Sequence, residues 1–192
     1  MGQEIKNGGN VDKQLNIQDN SGQIYLKNRS RLSTRFEKLK HEVESNYKYE
    51  GVKEALKYYL TKLDGVDVTT KLTDGGLTEN EILRAIRRKE KYAKQLETNK
   101  FYESAQMIDS EIFAKIIIDF ETYVELPLIN NGASKSEIFE AVSNSVISPT
   151  LKLINEEGEH DTFLNYSVED IYGIIYYLTG KCHINWKNYD SL

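Results

Sequence analysis

Apolar and polar positions alternate with a helical period over most of the chain. Leu32, Phe36, Leu39 and Val43 step by four, three and four, placing one apolar stripe on a first helix over roughly 30–47. Val52, Ala55, Leu56, Tyr59, Leu60 and Leu63 define a second helix, closed by Asp64-Gly65. A short third helix over about 67–74 takes Asp67 as its N-cap and Gly75-Gly76 as its stop. Thr78 and Glu81 form a capping box that opens a highly charged helix through Ile82, Ile86, Ala93 and Leu96. From Phe101 the stripe widens to Ala105, Ile108, Ile112, Phe113, Ile116, Ile117, Phe120 and Val124. Two adjacent columns are then apolar, which predicts a central helix buried on more than one side. As one rod, 78–126 would extend ~73 Å at about 1.5 Å per residue, whereas a compact domain of this size has a radius of gyration of ~16 Å. Either the rod breaks near Asn99 or its first half projects, and a break is the favoured reading.

Pro127 is expected to kink or end the central helix, and Asn130-Asn131-Gly132 completes the stop. Ser134 and Glu137 make a second capping box, followed by Ile138, Phe139, Val142 and Val146. Pro149 starts a further segment or kinks this one. Ser167 and Asp170 resemble a third capping box, with Ile171, Ile174, Ile175 and Leu178 as the buried face and Gly180 as the stop. Near the N-terminus a period of two replaces the helical one. Leu15 and Ile17, then Ile24 and Leu26, flank Asp19-Asn20-Ser21-Gly22, which reads as a short β-hairpin with one apolar edge. The expected fold is mainly α, with seven to eight helices, a long central helix, this hairpin and a short C-terminal extended segment. Residues 1–28 are read as a flexible tail plus hairpin, and 29–192 as one helical domain.

Composition narrows the function classes. The formal net charge of −5 argues against a general nucleic-acid surface. A single cysteine excludes an internal disulfide framework and a multi-cysteine metal site, as suits a reducing cytoplasm. The polar start lacks a signal-peptide pattern and no run is long enough to span a membrane, so the expectation is a cytoplasmic protein. Thirteen tyrosines suit core rims and contact surfaces alike.

Candidate chemistry is sparse. Cys182-His183 is the obvious pair, but neighbours in an extended chain point to opposite sides. His41 and His160 are the only other histidines and neither has ligand spacing. A buried thiol, a hydrogen-bonded imidazole and a Trp186 packed on the last helix form the preferred reading. Arg84, Arg87, Arg88 and Lys91 share one side of a helix, which is either a solvated face or a contact for DNA or an acidic partner. No phosphate loop, nucleophile elbow or zinc-binding motif occurs, so no catalytic, cofactor or metal residue is assigned and an enzyme is disfavoured.

The stretch from Asp170 to Trp186 (DIYGIIYYLTGKCHINW) resembles the closing signature of the C-terminal domains of ABC-three-component systems, which are associated with bacterial conflict systems of the Lamassu type. Asp170, Tyr172, Gly173, Gly180, Cys182, His183 and Trp186 carry the resemblance. Lys71-Leu72-Thr73-Asp74-Gly75-Gly76 and Lys100–Gln106 are similar to further segments of that family. The resemblance implies a non-catalytic helical module with no cofactor. In such systems it links an effector to an SMC-like ATPase and a small middle component. Only about 28 residues precede the helical region here, so no effector activity is carried over. The expectation is a scaffold or adaptor subunit of an anti-phage or anti-plasmid complex that binds protein partners or itself. Ile17, Ile24 and Leu26 on the hairpin are candidate contact residues, as are Arg84, Arg87 and Arg88. A nucleic-acid-contacting subunit using 84–94 is the alternative, and a small enzyme with a tertiary-assembled site is the third.

Overall fold

The computed structural model describes residues 29–63 and 65–188. The hairpin expected around Ile17, Ile24 and Leu26 lies outside them. The described residues form α1 (Arg31–Glu44), α2 (Glu54–Leu60), α3 (Val68–Asp74), α4 (Glu79–Asn99), α5 (Glu103–Phe120), α6 (Lys135–Ala141), α7 (Ser148–Glu157) and α8 (Val168–Gly180), with no strand among them. The fold is mainly α, as the periodicity implies.

Local chemistry sets the helix starts. Ser30 caps α1 by accepting the Ser33 N–H, and Asp67 caps α3 by accepting from Thr69 and Thr70. All three capping boxes form, at Thr78–Glu81, Ser134–Glu137 and Ser167–Asp170. The long rod breaks where α4 ends at Asn99 and α5 begins at Glu103. The break is held by a side chain: Asn99 is buried and donates to Asp109 Oδ2 and to the Tyr166 hydroxyl, so the chain cannot straighten without breaking both bonds.

Both prolines follow the same device. A π-helical turn at Glu121–Glu125 precedes Pro127 by two residues, and another at Val142–Ile147 precedes Pro149 by two. A proline inside an α-helix has no N–H to give and its ring strikes the carbonyl four residues back. The wider turn moves the hydrogen bonds to a five-residue step, as in Leu126 N–H to Glu121 O, and opens that space. At Pro149 the chain stays helical throughout, so α6, the π turn and α7 form one continuous element from Lys135 to Glu157. At Pro127 the helix gives way to a short 3-10 turn at Ile129–Asn131.

α5 is the central helix. Ala105, Ile108, Ile112, Phe113, Ile116 and Phe120 are all essentially inaccessible, against α1 and α2 on one side and α7, α8 and the second π turn on others. α4 and α8 pack along most of their lengths. A Cβ on Gly173 would lie 2.8 Å from the Arg88 carbonyl oxygen and 2.8 Å from Tyr92 Cβ, so glycine is what lets the two backbones approach.

Candidate functional site

The closing signature is a structural lock built on the end of α8. The helix ends at Gly180, as the sequence implies, but Gly180 is still helical and does not make the turn. The left-handed turn falls instead on Cys182, at φ 69°. Cys182 N–H bonds to Thr179 O and His183 N–H to Leu178 O, which is a Schellman closure without its usual glycine. A Cβ at Gly180 would meet the flexible Lys89 side chain, 3.2 Å from Cε, so close packing does not demand glycine there. Beyond the turn the chain is irregular and folds back so that Trp186 is buried. The expected extended tail is therefore a turn followed by an anchored segment.

Trp186 is held on every side. Its Nε1–H donates to Thr179 Oγ1 at 3.0 Å. Its ring stacks on Phe139 at 5.3 Å and 27°, and on Tyr176 at 6.1 Å and 23°, while Phe120 meets it edge-on. A Cβ on Gly75 would stand 2.5 Å from Trp186 Cβ, and buried Lys71 donates to Asn185 Oδ1 at 2.7 Å. The Lys71–Gly76 segment and the closing signature, separated by about a hundred residues in sequence, thus meet in one place. Gly76, at φ 77°, supplies the left-handed stop of α3 that the sequence places there. The third similar segment acts elsewhere: Gln106 Nε2 donates to the Gly51 and Lys100 carbonyls, and its Oε1 accepts from Lys53 N–H.

Cys182 and His183 diverge. The thiol points to the Val66 carbonyl at 3.7 Å, whereas the imidazole lies among Tyr58 and Tyr59 with ring centroids 5.1 and 5.6 Å away. Burial pushes the His183 pKa down, outweighing backbone hydrogen bonds with Tyr58, Thr61 and Tyr59. The geometry that a thiolate–imidazolium pair needs is not made. No group of three or more His, Cys, Asp or Glu suited to a metal ion occurs among the described residues.

One titratable cluster left no trace in the sequence. Asp109, on the apolar side of α5, is fully buried. Its Oδ1 accepts from Tyr92 and Tyr166 hydroxyls and its Oδ2 from Asn99 Nδ2 at 2.9 Å. Burial raises its pKa, the three donors lower it, and the result is a carboxyl pushed up to about 6. Tyr92 and Tyr166 are raised well above the ordinary tyrosine value, first by burial and then by the Asp109 charge. The sequence hides the cluster because its members, 92, 99, 109 and 166, come from α4, α5 and the loop before α8. It is closed to solvent, so it ties three elements together and offers nothing to a substrate.

The exposed chemistry lies beside the lock. Tyr172, Tyr176, Trp186 and Phe139 form a ladder of near-parallel rings, with successive interplanar angles of 18°, 23° and 27°. A groove of about 330 Å³ runs alongside, lined by Leu77, Glu81, Arg84, Arg88, Phe139, Tyr172 and Tyr176. Arg88 holds Glu169 through two bonds, at 2.9 and 2.8 Å, and lies 4.7 Å above the Tyr172 ring. Glu81 is bound by Lys135, whose hydrogen bond, with those of Thr78, pulls its pKa to about 2. Lys91 pairs with Asp170 at 2.6 Å. That bond and those of Ser167 outweigh burial and hold Asp170 below the usual carboxylate range.

Of the candidate contact residues, the structure brings Arg84 and Arg88 to the signature residue Tyr172, while Arg87 is exposed and does not line the groove. The basic stretch is thus partly neutralised in place. Arg84 and Arg87 have no ion-pair or hydrogen-bond partner among the described residues.

Neither the curated proteins nor the solved structures yield a match to this chain. A family model does match, over residues 67–186, which is more than half of the chain. That span runs from the N-cap of α3 to Trp186, the two parts that the lock joins. The chain belongs to the family of C-terminal domain 9 of the ABC-three component (ABC-3C) systems.

Proposed function

We propose that this chain is a non-catalytic adaptor subunit of a bacterial anti-phage or anti-plasmid defence complex, linking an SMC-like ATPase to another component through protein contacts. The observation that carries this reading is the family match, because a component of a three-component system works in a multi-subunit complex. The fate of the signature residues supports it. Gly173, Gly180, Cys182 and Trp186 are used in packing, and Asp170 in a capping box. What such a module presents is shape and surface. The nucleic-acid alternative loses part of its support, since Arg88 and Lys91 are held by Glu169 and Asp170 and leave Arg84 and Arg87 as the unpaired arginines of the stretch.

The test is co-expression of the chain with the products of its neighbouring genes, followed by affinity capture and size-exclusion chromatography. A stable complex containing an SMC-like ATPase is the expected result. Capture of the chain alone, with the neighbours expressed and folded, would sink the adaptor reading. Phage challenge of cells carrying the full gene set, with and without this subunit, checks the defence role separately.

A further inference from the structure

We propose that the groove between α4 and α8 is the docking site for an acidic segment of a protein partner, one that carries a carboxylate next to an aromatic or leucine side chain. This rests on the adaptor reading and names where, and through what chemistry, the adaptor would be engaged. Arg84 is exposed, lines the groove and has no counter-charge among the described residues. Arg88 is already compensated and is fixed by Glu169 and Tyr172, so it lends a rigid donor framework without a free charge. Glu81 is compensated by Lys135, so it does not repel an incoming anion as a bare carboxylate would.

The ring ladder selects the rest of the ligand. Tyr176 has Tyr172 on one side and Trp186 on the other, so its faces are spent on neighbours. Leu77, Phe139 and the Tyr172 and Tyr176 rings make the apolar part of the groove lining. Aromatic rings pair readily with other rings and with aliphatic side chains, which suits an apolar residue next to the anion. A nucleic-acid strand fits this surface less well. It would need open ring faces for base stacking and several free cations along its backbone. Here the groove offers one uncompensated cation, on a chain whose net charge is −5. A short acidic–apolar segment matches the single charge and the apolar lining together.

The probe is a displayed library of random twelve-residue peptides, panned on the full chain. Trp186, the sole tryptophan, does not line the groove but stacks on Tyr176, which does, so its emission is a second readout beside the Arg84 variant. Enrichment of peptides with Asp or Glu beside Phe, Tyr, Trp or Leu is expected. Their binding should change Trp186 emission and weaken at least tenfold in Arg84→Glu, a variant expected to melt with the wild type because Arg84 is exposed and unpaired. Selection of uncharged or basic peptides, or binding unchanged by Arg84→Glu, would overturn the proposal. So would displacement of the selected peptides by a single-stranded 20-mer oligonucleotide at equal concentration, which would assign the surface to nucleic acid. The adaptor reading is judged apart: if Arg84→Glu still assembles with the neighbouring subunits, the groove is wrong and the adaptor stands. If the wild-type chain fails to assemble, the adaptor falls regardless of the peptides.

Discussion

Two buried clusters in this molecule use the same materials to opposite effect. Around Trp186, stacked rings surround one neutral polar atom, and the indole N–H finds Thr179 Oγ1. Around Asp109, rings and an amide surround a carboxylate, and all three partners are donors. In the first cluster the indole itself is hidden at little electrostatic cost, and the buried Lys71 ammonium beside it is met by Asn185 Oδ1. The second removes a charge from water and recovers only part of the loss through hydrogen bonds, which is why the carboxyl is pushed up to about 6. The Trp186 lock should therefore dominate stability and be indifferent to pH. The Asp109 node should contribute specificity, fixing how α4, α5 and the loop before α8 meet, and carry a pH signature.

The strongest way to break the comparison is Trp186→Ala. The indole is 3% exposed and contacts Phe120, Phe139 and Tyr176, so the substitution opens a cavity between α5, α6 and α8. The expected loss is about 3–5 kcal/mol, read as a fall in urea midpoint from wild type whose size does not depend on pH between 5 and 8. A midpoint unchanged from wild type would show that the tail is not a lock.

Gly173→Ala tests the seam beneath the ladder. The new methyl would stand 2.8 Å from a backbone oxygen of α4, which cannot rotate away as a side chain tip could. Helix propensity alone would favour alanine by about 1 kcal/mol. Overpacking should win, with a net loss of about 1–3 kcal/mol in thermal unfolding. A stabilised variant would mean that α4 and α8 separate easily, and that the groove between them is not rigid.

Asp109→Asn tests the other cluster. The folded pKa of about 6 lies above the ordinary value of 3.8, so the folded state holds a proton more tightly than the unfolded chain. This group's stability contribution is fully present below the unfolded pKa and is lost as pH rises through about 6. His183 acts in the opposite direction, because its lowered pKa makes acid unfavourable to the folded state. The difference between wild type and Asp109→Asn removes the histidine term. That difference should move in favour of wild type by about 1 kcal/mol between pH 7 and pH 5, measured by parallel urea titrations. A pH-independent difference would show that Asp109 ionises normally despite its burial.

Legibility in the sequence follows the same division. Helix starts could be read because caps are local: Ser134 and Glu137 are three residues apart and do in space what they do in sequence. The lock was partly legible because rare residues crowd into one segment and the family resemblance marks it. Its partners were not, because Gly75 and Lys71 reach it only through tertiary packing. Gly180 marks the helix end, but the left-handed residue that makes the turn is Cys182, two positions on. The π turns were invisible, since nothing in Glu121–Glu125 marks a five-residue hydrogen-bond step; only the prolines downstream show why one is needed. Asp109 could not be found at all, because a single acidic residue within an apolar stripe looks like any surface position until its three donors are brought to it.

The smallest expected effect concerns the ion pair at the rim of the groove. Arg88 and Glu169 join α4 to α8 with bidentate geometry, but Glu169 is 56% exposed, so water screens the pair. A double-mutant cycle with Arg88→Met and Glu169→Gln should give a coupling of about 0.5–1 kcal/mol at low salt, shrinking as ionic strength rises. Arg88→Met alone should cost more than Glu169→Gln, since it also removes the guanidinium from the Tyr172 ring. Equal single-mutant losses would mean that the ring contact contributes nothing. The charged rim of the α4–α8 seam would then rest on the Arg88–Glu169 and Lys91–Asp170 pairs without help from the Tyr172 ring.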